Sequence, residues 1–336
     1  MKLFVDISPA FYKTLLFNQL SKEEDIFVVY IEDPNRPYRD DDFLKGEKQF
    51  NHTTLKGSKI SVLIKLLSIV RKTKYDKLIV GGYDAITCWL PMFVSPCSKN
   101  GVIVESSYRE TNKNGLKRLI KCIFFKFVRT AYVCGKSHAD LVKAFGFKGK
   151  IVDIGTVGFI RRVPQPKYEE RKVITKFLYV GRLTKVKNVE WLIERFRNHP
   201  ELELTIIGTG DLENKLRSIA PDNVKMIGTV QNSLLPKYYQ NADVFVLPSL
   251  SEPYGLVVEE ALNNGTPVLV SHMIGCQDNL VAANNAGLVF QLDDENDFEE
   301  KLSMICNPDC YNKIRYNISK LDFEEFENRM KNCFID

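Results

Sequence analysis

The chain has 336 residues, 44% of them hydrophobic, and a formal net charge of +5. That length exceeds what one core usually serves, so two domains are expected. No run of about 18 apolar residues suggests a membrane span, and MKLFVDISPAFYKTLLF has an aspartate inside its apolar segment and no small-residue cleavage site, unlike a signal peptide.

The eight cysteines form no CxxC pair and the four histidines show no HxxxH spacing. Buried thiols in a reducing cytoplasm are expected, with neither a disulfide framework nor a zinc site. Charge is unevenly divided. Residues 1–165 hold 28 Lys and Arg against 16 Asp and Glu, a net +12, while 166–336 hold 19 against 26, a net −7. A bias of that size in the first half would attract an anionic surface.

In chain order, KLFVDIS, DIFVVYIE, KLIVGG, GVIVES, TAYVCG and IVDIG read as strands of the first half, with helices between several of them. The proline- and charge-rich IRRVPQPKYEERKVI is the expected linker. Beyond it KFLYVG, ELTIIG, VKMIG, DVFVLP, TPVLVS and GLVF are apolar throughout, as strands buried on both faces must be, and they alternate with helix-length amphipathic segments. The alternation implies βα units and parallel sheets in an α/β fold of two doubly wound domains facing each other across a cleft. The segment YNKIRYNISKLDFEEFENRMKNCF reads as helix that could return to the first domain. The domains are expected at 1–165 and 166–312, with a terminal helix at 313–336.

Ligands of open α/β sheets bind beyond the carboxyl ends of the strands. In DVFVLPSLSEPYGLVVEEALNNGTPVLVS a strand leads through a loop into a helix beginning near Leu256. Gly255 lets backbone approach a ligand, and the free amides of Leu256 and Val257 at the positive helix end make an anion site. Glu260, one turn into the helix, suits a vicinal diol such as ribose, and Glu252 in the loop suits the hydroxyls of a second group. Standing alone, the pair is better explained as a helix-terminal acid and a solvated loop acid. The turn YVGRLTKVKNVEWLI shifts the balance, because Arg182 and Lys187 there can grip phosphate oxygens, although charge alone does not separate Lys187 from Lys185. The GTG of TIIGTGDLENKL is a further strand-to-helix elbow.

GRLTKVKN, IIGTGDLENKL, MIGTVQNSLLPKYYQNADVFVLPSLSEPYGLVVEEALNNGTPVLVS and GCQDNLV together resemble the donor-binding half of retaining glycosyltransferases of the GT-B fold, family 4, over about residues 174–292. The resemblance implies that Arg182 and Lys187 hold a donor diphosphate, that Glu260 takes the ribose and Glu252 the transferred sugar, that amides after Gly255 meet the phosphates, and that backbone near Val230 meets the nucleobase. It implies a nucleotide-diphosphate sugar as co-substrate, UDP-sugar favoured over GDP-sugar, with no cofactor and no metal. VGGYDAITCWL, VIVESSYRE and AYVCGKSHADLVKAFGF look like counterparts in a bacterial polysaccharide and lipopolysaccharide branch. One family trait is missing, since ISPAFYK replaces the glycine-rich turn after the first strand.

Glu105, followed by Ser106 at a strand end, is the remaining candidate. It either orients an acceptor hydroxyl or steadies charge at the anomeric carbon, or it pairs with Arg109. GLKRLIKCIFFKFVR and KISVLIKLLSIVRKTK alternate Lys and Arg with large apolar residues, as interfacial helices do; the second reads as an ordinary core helix and the first leans toward anionic membrane contact. No motif supports nucleic-acid binding. YRDDDF offers the Asp-x-Asp of metal-dependent GT-A transferases, but no apolar strand precedes it, and a solvated loop is expected.

The resulting expectation is a cytoplasmic, peripherally membrane-associated, retaining hexosyltransferase acting on a saccharide or lipid-linked saccharide acceptor at the inner leaflet. A sugar-nucleotide epimerase, a phosphorylase and a non-catalytic nucleotide-sugar-binding protein are the alternatives.

Overall fold

Runs of four to six residues, apolar in most strands, form two sheets in the computed structural model, which describes residues 1–7, 9–32, 46–83, 85–111 and 115–335. The first sheet contains β1 (Lys2–Asp6), β2 (Ile26–Ile31), β3 (Asn51–Leu55), β4 (Lys77–Val80), β5 (Asn100–Val104), β6 (Thr130–Val133) and β7 (Lys150–Asp153), in the order β3-β2-β1-β4-β5-β6-β7. The second contains β8 (Lys176–Val180), β9 (Glu203–Ile207), β10 (Val224–Gly228), β11 (Val244–Leu247), β12 (Val268–Ser271) and β13 (Gly287–Phe290), in the order β10-β9-β8-β11-β12-β13. Every pairing is parallel.

Both sheets are wound the same way. The chain runs outward from the first strand, returns to its other side and runs outward again, so the winding reverses between β1 and β4 and between β8 and β11. These reversal points are where open α/β sheets leave a crevice at the carboxyl ends of the strands. The fold class is therefore α/β with two Rossmann-like units, as the alternation of segments predicts. Only β3 escaped the sequence reading, because NHTTL is an edge strand whose side chains stay largely in water.

Helices α1 (Phe11–Leu20), α2 (Lys59–Lys72), α3 (Ile86–Val94), α4 (Gly115–Phe125) and α5 (Lys136–Ala144) belong to the first unit. Val62, Leu66 and Val70 recur every four residues along α2, and with Phe124, Phe125, Leu141 and Val142 they bury one face of this sheet. Each such side chain contributes about 1.5–3 kcal/mol on full burial. The second unit contains α6 (Val189–Arg197), α7 (Glu213–Ile219), α8 (Leu235–Asn241), α9 (Leu256–Asn263), α10 (Glu295–Cys306) and α11 (Pro308–Ile318). Trp191 of α6 stacks there on Phe290 at 5.7 Å.

Unit boundaries differ from the simple division of the sequence. Unit 1 is Met1–Phe159 with Glu324–Asp336, and unit 2 is Ile160–Phe323. The expected linker lies wholly in unit 2, because it is strapped to that unit's own elements. Arg171 pairs with Asp243, and its backbone exchanges hydrogen bonds with the Asn312 side chain at 2.9 and 3.0 Å. The last helix, α12 (Phe323–Asn332), carries the chain back into unit 1, where the Phe334 ring stacks on Tyr132 at 4.7 Å.

Candidate functional site

In unit 2 the turns after β8 and β11 flank the reversal point, and the Leu250 amide donates to the Val186 carbonyl at 2.8 Å to join them. Lys187 ends a single 3-10 turn, Lys185–Lys187, and its ammonium pairs with the Glu252 carboxylate, the two side chains being 14% and 15% exposed. Lys185 is exposed, so the fold separates the two lysines that the sequence could not. Arg182 is exposed too, and its guanidinium has no ion-pair partner among the described residues. Beneath these groups lies Tyr179 of β8, whose buried hydroxyl donates to the Arg182 carbonyl at 3.0 Å. Burial drives that phenol far above its ordinary range, the Glu252 charge raises it further and Arg182 opposes the rise. Arg182, Lys187 and Glu252 thus gather around one tyrosine.

The Glu252 loop is pinned by main chain. Gly275 and Cys276 amides donate to the carbonyls of Glu252 and Tyr254, both at 2.9 Å. A Cβ on Gly275 would stand 1.7 Å from the Pro253 oxygen, so only glycine permits this approach. Gly255 caps α9 with φ of 99°, in the left-handed region that a side chain resists, and no side-chain cap is present. The amides of Leu256 and Val257 have no acceptor among the described residues. A helix end with free amides can receive an anion, and Lys187 reaches the loop before it through Glu252.

Glu260, half-buried on α9, accepts a hydrogen bond from the Tyr239 hydroxyl at 3.1 Å. Burial pushes its carboxyl up to about 7, against the pull of Tyr239 and Arg161. Its partners are therefore Tyr239 and Arg161, and it makes no direct contact with Arg182 or Lys187. Val230 lies half-buried just beyond β10.

In unit 1, Glu105 follows β5 and pairs with Lys13 at 2.8 Å, a partner named by neither of the readings the sequence left open, an acceptor role or a pairing with Arg109. The sequence suggested a helical spacing between those two, but residues 105–111 form a turn. Lys13 also pairs with Asp6 at 2.8 Å. Burial works against its charge, but Asp6 and Glu105 outweigh that cost and hold the amine well above its ordinary range.

A second feature of unit 1 is α4, which presents Leu119, Ile120 and Ile123 to solvent at 58%, 42% and 44% exposure. Phe127 continues the strip, and its ring meets that of the exposed Phe93 at 4.6 Å. The segment YRDDDF lies outside the described residues. Among the described residues no group of three or more His, Cys, Asp or Glu is placed to hold a metal, and no helix is long and apolar enough to cross a membrane.

Residues 161–320, nearly the whole of unit 2, match the family described as Glycosyl transferases group 1. An uncharacterized glycosyltransferase of Methanocaldococcus jannaschii, MJ1607, is 38% identical over 109 residues, covering 30% of this chain and 28% of that protein. The chain spans 28%, 25% and 57% of the lengths of the first curated relatives it matches. Among solved structures, the lipopolysaccharide outer core galactosyltransferase WaaB superposes with a TM-score of 0.72 at 17% identity, covering 99% of both chains. Anabaena Alr3699/HepE, solved with UDP, gives 0.72 at 13% identity over 98% of both. These likenesses establish the GT-B class of the fold.

Sequence reasoning missed Tyr179, Tyr239, Arg161 and Lys13. The tyrosines sit inside an apolar strand and an amphipathic helix, where they read as core; Arg161 stood in the expected linker. Lys13 had a signal, the replacement of a glycine-rich turn by ISPAFYK, but no pattern named its partners.

Proposed function

We propose that the protein is a glycosyltransferase that moves a hexose from a nucleotide-diphosphate sugar to a saccharide acceptor. The observation that carries this reading is the convergence on one reversal point of Arg182, the Lys187–Glu252 pair and the uncapped start of α9. Arg182 forks the donor diphosphate, Lys187 divides its charge between Glu252 and a phosphate oxygen, and the Leu256 and Val257 amides take further oxygens. Glu260 accepts the ribose hydroxyls and Glu252 those of the sugar, with Val230 beside the base.

As the bond from the anomeric carbon to the diphosphate oxygen breaks, charge accumulates where these donors already point, a preorganisation worth about 2.7–4 kcal/mol per donor in other enzymes. The acceptor oxygen bonds to the anomeric carbon on the same face, and its proton passes to the departing diphosphate, so configuration is retained. Two cationic side chains and a helix end supply the positive charge, and we read the reaction as metal-independent. The favoured donor is a UDP-sugar, the acceptor a lipid-linked saccharide of a surface polymer, and the strip on α4 the contact with an anionic inner leaflet in the cytoplasm.

The test is to screen UDP- and GDP-sugars by thermal shift, then to measure nucleotide release with and without saccharide acceptors. Stabilisation by a nucleotide sugar with acceptor-dependent release is expected. Absence of nucleotide binding overturns the reading, and binding without turnover leaves a nucleotide-sugar-binding protein.

A further inference from the structure

The reversal point of unit 1 is occupied by charge. Asp6 ends β1, Glu105 follows β5, and β4 lies between those strands. Lys13, in the first turn of α1, reaches both carboxylates at 2.8 Å with its own side chain 6% exposed. The approach across β4 is open because position 81 is glycine: a Cβ there would lie 2.6 Å from an Asp6 oxygen.

The two carboxylates differ in what they leave over. Asp6 is closed, one oxygen on Lys13 and the other accepting from the Ile7 amide at 2.7 Å, with its side chain 6% exposed. Glu105 gives Oε1 to Lys13, has no further partner among the described residues, and keeps 30% of its side chain accessible. One ammonium against two carboxylates leaves the cluster with a net negative charge. Three hydroxyls adjoin it in sequence or register: Thr14 next to Lys13, Tyr30 paired with Asp6 across β1 and β2, and Ser107 two residues beyond Glu105. All three are buried; the Tyr30 and Thr14 hydroxyls meet each other, and the Ser107 hydroxyl has no hydrogen-bond partner among the described residues. Buried hydroxyls grouped beside one ion cluster mark a polar site rather than a packed core.

We infer that Lys13 is a positioning residue that fixes Glu105 in one orientation, so that its free oxygen accepts a hydroxyl of a neutral saccharide while the net charge repels phosphorylated or carboxylated ones. This rests on the glycosyltransferase reading and adds to it the charge class of the acceptor. Glycine-rich turns in doubly wound folds expose a helix end to anions; here Asp6 and Glu105 reverse that preference. A merely structural ion cluster would affect stability alone, since removing one partner of a buried pair leaves the other charge uncompensated.

The experiment compares binding of methyl glycosides of glucose, galactose and N-acetylglucosamine with that of their 6-phosphates, by saturation-transfer NMR on the full chain. In parallel, UDP binding is read by calorimetry. Wild type is expected to bind at least one neutral glycoside, and to bind its 6-phosphate at least tenfold more weakly. Glu105→Gln should weaken the neutral ligand about tenfold and narrow that ratio toward one, with UDP affinity unchanged. Lys13→Met should weaken the neutral glycoside similarly but keep or widen the bias against its 6-phosphate, because two carboxylates remain without their ammonium, and Lys13→Arg should restore part of the glycoside affinity; Glu105→Gln decides the matter if Lys13→Met does not fold. No binding of any neutral glycoside, equal binding of the 6-phosphates, or an unchanged ratio in Glu105→Gln overturns the inference. Loss of the glycoside result with UDP binding intact leaves the proposed function standing, whereas absent UDP binding removes that function independently.

Discussion

Lys187 and Glu252 meet as an ion pair although 65 residues separate them in the chain, and both are largely shielded from water. Their pairing makes the two substitutions unequal. Lys187→Met strands a carboxylate, and should cost about 1–3 kcal/mol of stability in chemical denaturation. It also removes a cation from the leaving group, with an expected loss of about 100-fold in kcat. Glu252→Gln instead frees the ammonium for phosphate, so UDP affinity should hold or improve while turnover falls. Calorimetry with UDP beside kinetics on both variants checks this, and weaker UDP binding in Glu252→Gln would place the carboxylate elsewhere.

Gly275 contributes no functional group, yet it sets the position of Glu252. With the would-be Cβ at 1.7 Å from the Pro253 oxygen, Gly275→Ala must displace the 251–255 loop. The two hydrogen bonds that pin this loop, from Gly275 and Cys276, would be lost or lengthened. Overpacking of this kind costs about 1–3 kcal/mol. Turnover should fall at least tenfold, because misplacement by about 1 Å can cost 100-fold. A variant with a normal melting temperature and normal kinetics would show that the loop position does not matter.

Most strands of both sheets were legible in the sequence because central parallel strands buried on two faces, such as FVVYI and VFVL, leave apolar runs. The turn at Gly255 was legible as a strand-to-helix connection, whereas a use for its acids was not legible from that segment alone, where they read as a helix-terminal acid and a solvated loop acid. What stayed hidden depends on contacts between distant segments. For Glu105 the only pairing the sequence offered was with Arg109, beside an acceptor role, whereas its partner came from α1, 92 positions upstream. Tyr239 could not be assigned to Glu260, because α8 and α9 are brought side by side only once β11, which links them in the chain, takes its place in the sheet. The polar strand β3 was invisible because an edge strand does not need an apolar pattern.

The Glu260 carboxyl should make both stability and donor binding depend on pH. Its folded value, about 7, stands above the ordinary 4.5. Below the lower value the group is protonated in both states. Between the two, the folded protein keeps a proton that the unfolded chain has released, so stability falls as pH rises through this window and stays lower above it. The loss should be about 1–3 kcal/mol, and Glu260→Gln should flatten it. Ribose hydroxyls favour the carboxylate, so UDP-sugar affinity should rise through about pH 7 with proton release in wild type alone. The sugar-linked diphosphate does not titrate there. Equal pH profiles for wild type and Glu260→Gln, in melts and in calorimetry, would remove Glu260 from the ribose site.

The strip on α4 should bind anionic vesicles. Apolar side chains at 42–58% exposure gain little in water, while Lys117 and Arg118 beside them are exposed and positively charged. Each cation near an anionic surface contributes about 1 kcal/mol at moderate salt, and each buried methylene about 0.8 kcal/mol. α2 provides an internal comparison: it buries Val62, Leu66 and Val70 against the sheet and leaves Ile60 and Ile64 exposed. Leu119→Gln with Ile123→Gln should reduce flotation with phosphatidylglycerol vesicles at least tenfold without lowering the melting temperature, because these side chains pack against little. Ile60→Gln with Ile64→Gln measures the contribution of α2, whose two isoleucines, 72% and 63% exposed, stand beside the exposed Lys59 and Lys65. Flotation that is absent from wild type at low salt, or indifferent to the α4 substitutions, would leave the strip without a membrane role.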